Sequence, residues 1–310
     1  MIALPVSFTL SGPRPLALET HATIEGVPIK LIAMDIDGTL LDSNAQLPPE
    51  NVAAIAEAAE RGIEIVLVTG RRFDFTRSLS DALPCEVHLI VSNGSLIKSR
   101  SGETHHRLLL PSATARRVIE ALPQFRAEAS VVFDRPGEIQ VFLERIDLDD
   151  PRRGPYLRKN HSHIGEICPL TDCFNGEDPV QVGFVGGLEE IRTVQNLLLA
   201  LPFSTEFSLS ITEYPERDLS ILDVLRRGVS KGFALAEWAQ RRGIPRHEVM
   251  AIGDNWNDRE MLEFAGFPVL MGNSVPELKS LGWTVTLSND ENGVAEAIRT
   301  YALNETARTR

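Results

Sequence analysis

A chain of 310 residues with 43% hydrophobic content can bury one large core or two unequal ones. Its 31 basic and 43 acidic side chains give a formal net charge of −12, which argues against a general binder of nucleic acids or membrane surfaces, since both are anionic. No stretch reaches the roughly 18 apolar residues of a membrane helix, and the first residues do not resemble a secretory signal. Three cysteines are too few for a disulfide framework, so we expect a cytoplasmic protein.

The first part of the chain changes character at Ile29. Residues 1–28 show neither a helical nor a strand period and contain scattered Pro and Gly, which predicts a poorly ordered extension. After them, short apolar runs alternate with helical patterns, as in parallel βαβ units. The predicted order is a strand at 29–34, a helix at 48–62, a strand at 63–70, a helix at 74–82 and a strand at 87–94.

A second kind of pattern occupies residues 109–217. It predicts a helix at 112–125, two strands about a Pro-Gly turn within 129–144, and a strand followed by a helix within 178–201. The earlier alternation returns from about 218 to the end of the chain. We therefore predict an α/β core, formed by 29–108 and 218–310, that is interrupted by an inserted α+β domain at 109–217.

Two aspartates follow the first predicted strand in "DIDGTLLD", residues 35–42. Because side chains alternate along a strand, Asp35 and Asp37 should lie on the same side, at the sheet edge where α/β proteins bind ligands. Two close carboxylates repel unless a cation lies between them, and Mg²⁺ prefers oxygen ligands. A solvated turn is the alternative. A calcium-binding loop is excluded because Thr39 and Leu40 occupy the positions of its third Asp and its Gly.

Other strand and helix ends carry polar residues suited to phosphate. Thr69 and Gly70 follow the second strand, where a hydroxyl and a flexible backbone can meet phosphate oxygens, although a simple turn would look the same. Lys231 begins a helix, where backbone N–H groups attract anions, or it is a solvated charge. Asp254 and Asp258 follow a later strand. Asp258 can alternatively be a carboxylate favoured in the first turn of a helix.

Four motifs occur in the order "DIDGTLLD", "TGR", "GVSKG" and "GDNWNDREML". Together they resemble the haloacid dehalogenase-like superfamily, and more narrowly its Cof-type sugar-phosphate phosphatase branch. The segments "SNGSLI", "AGFPVLMGNSVPELK" and "VTLSNDENGVAEAI" are also similar to that branch. The resemblance covers about 29–108 and 218–310 strongly and the insert weakly. It implies a Rossmann-like parallel-sheet core, with a mobile cap domain that is inserted after the third core strand and selects the substrate.

The resemblance also implies roles for individual residues. Asp35 would be the nucleophile that forms an aspartyl-phosphate, and Asp37 the general acid and then the general base. Phosphate binding would involve Thr69, Gly70, Lys231 and Asn257, and Mg²⁺ would be held by the Asp35 carboxylate, the Asp37 carbonyl, Asp254 and Asp258. The predicted function is an Mg²⁺-dependent phosphomonoesterase that hydrolyses small phosphorylated metabolites, with sugar phosphates favoured. The alternatives are a sugar phosphomutase and a noncatalytic sensor of metabolite phosphates.

The predicted cap contains an unusually basic segment at residues 151–163. Our hypothesis is that some of its cations select the substrate, whereas the alternative is a solvated loop; the candidates are Arg152, Arg153, Arg158 and Lys159. Nearby His and Cys residues could be imagined as a zinc site, but their spacing is not a common zinc signature and favours incidental loop residues; they are His161, His163, Cys168 and Cys173.

Overall fold

The computed structural model describes residues 28–135 and 137–303. The prediction for the extension at 1–28 therefore lies outside the described residues, apart from Pro28. Within the described part of the chain, the strands assemble into two sheets, one of eight strands and one of six. In the same part of the chain, no helix combines the length and apolar character needed to span a bilayer.

The strands are numbered in chain order. Those before and within the insert are β1 (Leu31–Met34), β2 (Glu64–Val68), β3 (His88–Val91), β4 (Leu96–Ser99), β5 (Thr104–Arg107), β6 (Ala129–Val132), β7 (Val141–Leu143), β8 (Ile164–Glu166), β9 (Gln181–Gly186), β10 (Phe207–Tyr214) and β11 (Leu219–Arg226). The last three are β12 (Val249–Gly253), β13 (Phe267–Leu270) and β14 (Thr284–Val285).

Nine α-helices occur in the described residues, and four of them overlap the helices predicted at 48–62, 74–82, 112–125 and within 178–201. They are α1 (Pro49–Glu60), α2 (Phe73–Ser80), α3 (Ser112–Ala121), α4 (Gly154–Asn160), α5 (Leu188–Leu199), α6 (Lys231–Arg242), α7 (Arg259–Phe264), α8 (Pro276–Lys279) and α9 (Gly293–Ala297). A proline opens α1, where its missing N–H costs nothing, and Gly243 ends α6 in a left-handed conformation.

The larger sheet forms the α/β core. Its order is β14-β13-β12-β1-β2-β3-β4-β5, and the first six strands of this order run parallel. On one face, Ile32 and Met34 belong to a buried cluster shared with α1 and α9, and on the other face Leu31 and Ala33 belong to a cluster shared with α6 and α7. Both faces of β1 are covered, which explains why all four of its residues are apolar.

A hairpin was missed by the sequence prediction. β4 and β5 extend the core sheet as antiparallel strands directly after β3. The sequence signal is weak because β5 is a polar edge strand with exposed or half-exposed residues, so it needs no apolar run. The chain leaves this sheet near residue 109, since the Leu108 N–H donates to the Ser95 carbonyl and the Leu110 N–H donates to the Pro179 carbonyl.

The smaller sheet has the order β10-β11-β9-β6-β7-β8, and α3 and α5 share one buried cluster with its strands. The pairing in this sheet corrects the predicted boundary between the insert, which was expected to end at 217, and the core, which was expected to resume at 218. β11 pairs along its length with β9 and β10, so the insert continues to about Arg226 before the chain returns to the core. Only the pairing reveals this, because alternating apolar and polar residues in β10 predict a strand but do not indicate which sheet β10 and β11 join.

The topology brings four carboxyl strand ends side by side, those of β12, β1, β2 and β3. The Ser92–Gly94 turn after β3 lies against the start of α6. Gly94 has φ +101°, and a Cβ there would overlap the Ser230 carbonyl oxygen. Because Ser230 is the N-cap of α6, this close approach fixes the position of Lys231, the first residue of the helix.

We expect Gly94→Ala to lower the free energy of unfolding by roughly 3 kcal/mol or more, because the methyl group meets backbone as well as an unfavourable φ. The matched control is Gly62→Ala, since Gly62 has φ +80° but no atom within 4 Å of the added carbon. That control should cost only about 1 kcal/mol. Urea denaturation of the three proteins measures the difference, and equal losses would contradict a tight contact between the turn and α6.

Candidate active site

Asp35 and Lys231 meet in the interior at the end of β1. The Asp35 N–H donates to the Ile252 carbonyl at 3.0 Å, which continues the pairing of β1 with β12 one residue beyond the strand. Lys231 Nζ donates to Asp35 Oδ1 and to Asp258 Oδ1, each at 2.6 Å. All three side chains are buried. A buried ammonium is therefore held between two carboxylates that come from distant parts of the sequence.

Asp254 and Asp258 are oriented by local hydrogen bonds. The second oxygen of Asp258, Oδ2, accepts the N–H groups of Asp254 at 2.9 Å and Asn255 at 3.0 Å. Asp254 Oδ1 accepts the Thr39 hydroxyl at 2.8 Å. Gly38, with φ +80°, allows the turn after β1 to approach, since a Cβ there would overlap the Asp254 carboxylate.

The carboxylates of Asp35, Asp254 and Asp258 each offer an oxygen within 4.8 Å of the others. Burial raises the pKa of Asp35 to about 7; Lys231 opposes this shift, while Asp258 and Asp37 add to it. Burial, followed by repulsion from Asp258 and Asp35, holds the pKa of Asp254 well above its usual value. The cluster contains three buried carboxylates and one ammonium, so it lacks positive charge. A divalent cation that prefers oxygen ligands would supply that charge.

Asp37 is held separately from this cluster. Arg71 Nε donates to Asp37 Oδ2 at 2.7 Å, and Arg71 Nη2 donates to Asp37 Oδ1, so the guanidinium binds both carboxylate oxygens. The two aspartates of the "DID" motif therefore have different cationic partners, with Lys231 on Asp35 and Arg71 on Asp37. This separation suits two carboxylates with different chemical tasks.

The loop after β2 contacts the turn after β3. The Thr69 hydroxyl accepts the Arg71 N–H at 3.1 Å, and the Thr69 carbonyl accepts the Asn93 N–H at 3.0 Å. Gly70 lies so close to Asn93 that a Cβ would be 3.1 Å from its amide oxygen. Asn257 Nδ2 donates to that same oxygen at 3.2 Å. Thr69, Gly70 and Asn257 are thus linked through Asn93.

The second sheet contributes residues at the same place. Asp223 in β11 is buried and accepts Asn93 Nδ2 at 2.8 Å and Gln181 Nε2 at 2.7 Å, and burial raises its pKa to about 7. Tyr214 ends β10; burial raises the pKa of its hydroxyl, and the charges of Asp37, Asp35 and Asp254 raise it further. The inserted domain therefore covers the carboxylate cluster.

The arginines of the basic segment at 151–163 bind acceptors within the cap rather than residues of the carboxylate cluster. Arg152 donates to the Asp218 carbonyl at 2.8 Å and to its carboxylate, Arg153 binds Asp150 and the Ala127 carbonyl, and Arg158 donates to the Leu148 carbonyl. The acceptors of these three arginines lie in the cap itself, and Lys159 is exposed. Among the described residues, the His and Cys side chains considered for zinc do not gather into a metal-binding group.

A family model described as haloacid dehalogenase-like hydrolase matches residues 32–298. The chain belongs to this family. It is 30% identical over 297 residues to phosphatase YwpJ of Bacillus subtilis, covering 87% of this chain and 99% of that protein. It is 29% identical over 287 residues to 5-amino-6-(5-phospho-D-ribitylamino)uracil phosphatase YcsE of the same organism, covering 90% and 98%. A solved haloacid dehalogenase-like hydrolase from B. subtilis has a TM-score of 0.75 at 26% identity, covering 88% and 100%.

These findings confirm the predicted membership of the Cof-type branch and the predicted α/β fold, and they identify the chain as a phosphatase.

The sequence interpretation missed several residues of the site. Arg71 lies in the motif "TGR" and Asn93 in the segment "SNGSLI". The motifs drew attention to these two positions, but they did not predict a role for either residue. Thr39 lies inside "DIDGTLLD". Tyr214 and Asp223 have no local signal, because only the arrangement of the two sheets brings them to the site.

We expect Asp254→Asn to raise the melting temperature of the metal-free protein by about 2 °C or more at pH 8, because it removes one of three crowded negative charges. The amide oxygen can still accept the Thr39 hydroxyl. The variant should also lose most of the stabilisation that Mg²⁺ gives to the wild type. The control is Asp149→Asn, an exposed cap position. Equal stabilisation of wild type and Asp254→Asn by Mg²⁺ would show that the cation binds elsewhere.

Proposed function

We propose that this phosphatase is an Mg²⁺-dependent phosphomonoesterase that hydrolyses small phosphorylated metabolites through an aspartyl-phosphate on Asp35. The observation that carries the proposal is the arrangement around Asp35: a buried carboxylate beside one ammonium and two further carboxylates, with Asp37 held apart by Arg71. Sugar phosphates are the favoured substrates. The relative YcsE, which is named for a phosphorylated ribitylamino compound, supports a small polyhydroxylated phosphate ester.

Asp35 is the proposed nucleophile. One of its carboxylate oxygens attacks phosphorus, the bond between phosphorus and the leaving oxygen breaks, and the phosphoryl group becomes attached to Asp35. The ammonium of Lys231 lies 2.6 Å from Asp35 Oδ1 and counteracts the repulsion between a carboxylate and an anionic phosphate. Thr69, Gly70 and Asn257 would orient the phosphoryl oxygens from the neighbouring loops.

Asp37 is the proposed proton carrier. It donates a proton to the leaving alkoxide and, in the second step, accepts a proton from the water that attacks the phosphoaspartate, which releases inorganic phosphate and restores Asp35. Arg71 binds both oxygens of Asp37 in the described state, so the acid must exchange part of this contact to reach the leaving oxygen. We assign Arg71 as a positioning residue for Asp37.

The donor set fits Mg²⁺, because three buried carboxylates with raised pKa values or close carboxylate neighbours present oxygen ligands in a charge-deficient cluster. Asp35, Asp254 and Asp258, together with the Asp37 carbonyl, would hold the ion. When bound, it would neutralise negative charge between the nucleophile and the phosphate.

We also propose a cytoplasmic location and a free metabolite as partner, rather than nucleic acid or membrane. The formal net charge of −12 disfavours anionic polymers and surfaces. Cys85, Cys168 and Cys173 are all free thiols, in agreement with a reducing compartment.

We expect Asp35→Asn to reduce Mg²⁺-dependent hydrolysis of 4-nitrophenyl phosphate by on the order of 10³-fold or more, since an amide is a poor nucleophile. Release of inorganic phosphate is the measurement, and it also separates a hydrolase from a phosphomutase or a sensor. The thermal melting curve should remain cooperative, with Asp149→Asn as the fully active control. Turnover near that of the wild type in Asp35→Asn would remove Asp35 from its proposed role.

A separate test addresses Asp37. Asp37→Asn should slow hydrolysis of glycerol 2-phosphate by about 10²-fold or more, while the loss with 4-nitrophenyl phosphate should be smaller, because a good leaving group needs little protonation. The comparison uses single-turnover rates, so that phosphoryl transfer is observed rather than product release. Equal losses for the two esters would contradict Asp37 as the general acid.

A further inference from the structure

Arg72 follows the "TGR" motif and is 7% exposed. Its Nη1 donates to Gln140 Oε1 at 2.9 Å. Its other two nitrogens, Nε and Nη2, are buried and have no hydrogen-bond acceptor in the described part of the chain. Each unpaired buried donor lowers the stability of the folded protein by about 1–3 kcal/mol. A bound hydrogen-bond acceptor at this edge of the guanidinium would remove that cost.

The geometry of this edge indicates what kind of partner fits. Nε–H and one Nη2–H point in nearly the same direction and match two oxygens of one carboxylate or phosphate. The neighbouring Arg71 shows this fit, because its Nε and Nη2 bind the two oxygens of Asp37. Arg72 presents the same pair of donors without such an oxyanion.

Aromatic side chains surround the guanidinium. Burial raises the pKa of the Tyr156 hydroxyl, and the charge and hydrogen bonding of Arg72 oppose that shift, so this hydroxyl lies beside the guanidinium. The centroid of the Phe75 ring lies 4.4 Å from the guanidinium carbon of Arg72, and the Tyr156 ring packs on Phe75.

Two carboxylates near Arg72 already accept hydrogen bonds from other side chains. Asp74 accepts Gln140 Nε2, and Asp134 accepts Lys98 Nζ at 2.8 Å. Arg72, Asp74, Asp134 and Gln140 line one narrow cavity.

This cavity lies at the junction of core and cap. Arg72 is at the start of α2 in the core, whereas Gln140 and Tyr156 belong to the cap. Two residues before Arg72, Gly70 belongs to the proposed phosphate loop, and Arg71 holds the acid that would protonate the leaving oxygen. The proposed roles of Gly70 and Arg71 favour the leaving group, rather than the transferred phosphate, as the carrier of an anion at Arg72.

We propose that Arg72 binds a second oxyanion, a carboxylate or a further phosphate, on the leaving group of the substrate. This inference rests on the proposed function, because it places the oxyanion relative to the ester that is cleaved. It narrows the substrate class to phosphate esters with two anionic groups. Since the site needs residues of both core and cap, such a substrate also holds the two sheets together during turnover.

The test compares esters that differ in the distal anion. The carboxylate pairs are 3-phosphoglycerate with glycerol 3-phosphate and 6-phosphogluconate with glucose 6-phosphate, and the phosphate pair is fructose 1,6-bisphosphate with fructose 6-phosphate. In the wild type we expect kcat/KM to favour the member with the second anionic group in at least one pair by about tenfold or more. The type of pair that shows the preference identifies carboxylate or phosphate.

Arg72→Met should reduce that preference about tenfold, equivalent to roughly 1.4 kcal/mol. Arg72→Lys should restore only part of it, because an ammonium supplies charge without two parallel donors. The matched control is Arg77→Met, an exposed arginine on the same helix, which should keep the wild-type ratio. A structural arginine whose free edge is hydrated would lower kcat/KM equally for both members of a pair. That outcome, or a wild-type ratio near one in every pair, would overturn the inference.

A measurement without turnover separates this inference from the proposed function. In the Asp35→Asn background, calorimetry should give about tenfold tighter binding of the preferred ester with two anionic groups than of its partner with one, and Arg72→Met should abolish that difference. If the wild type releases no phosphate from any ester, the proposed function fails, while the binding comparison still decides the role of Arg72. Equal affinities in the Asp35→Asn protein, with or without Arg72→Met, would overturn the inference even when hydrolysis is efficient.

Discussion

The buried ammonium of Lys231 between Asp35 and Asp258 is the interaction on which the site depends. Burial alone would lower the pKa of Lys231, but the two carboxylates outweigh it and raise that pKa, so the lysine remains charged. One cation cannot balance Asp35, Asp254 and Asp258 together. Burial raises the pKa of Asp35 and the charge of Asp258 adds to that shift, while the excess of carboxylates makes the cluster suitable for a divalent cation. The chemistry of the site therefore follows from a charge deficit inside the protein.

The parallel sheet makes this crowding achievable. β1 lies between β2 and β12, so the residues after these strands meet although they are far apart in sequence. Glycines allow the final approach. Gly38 admits the Asp254 carboxylate, and Gly94 admits the Ser230 carbonyl at the start of α6. The stability of the core and the position of the nucleophile consequently depend on the same backbone contacts.

Both an apolar cluster and polar contacts connect the cap to the core. The apolar cluster contains Val132 and Val180 of the cap together with Phe73 of the core. Asp223 binds Asn93, Gln140 binds Arg72, and Asp134 binds Lys98. The polar contacts can exchange with water or substrate at a lower cost than packed apolar contacts, which would suit a cap that opens during turnover. The proposed oxyanion site at Arg72 would make one of these contacts dependent on the substrate.

The sequence by itself was sufficient to predict the α/β core, because apolar strands end in polar residues and parallel strands place those ends on one edge. The resemblance of four motifs to the haloacid dehalogenase-like superfamily then united Asp35, Thr69, Lys231 and Asp254 in one hypothesis. Tertiary structure alone decided the residues of the cap. The return to the core after β11, the presence of Asp223 and Tyr214 at the site, and the intramolecular partners of Arg152, Arg153 and Arg158 depend on how two sheets pair and face each other. These contacts join residues that are distant in sequence, and they follow no periodic pattern. They therefore cannot be predicted from any single segment of the sequence.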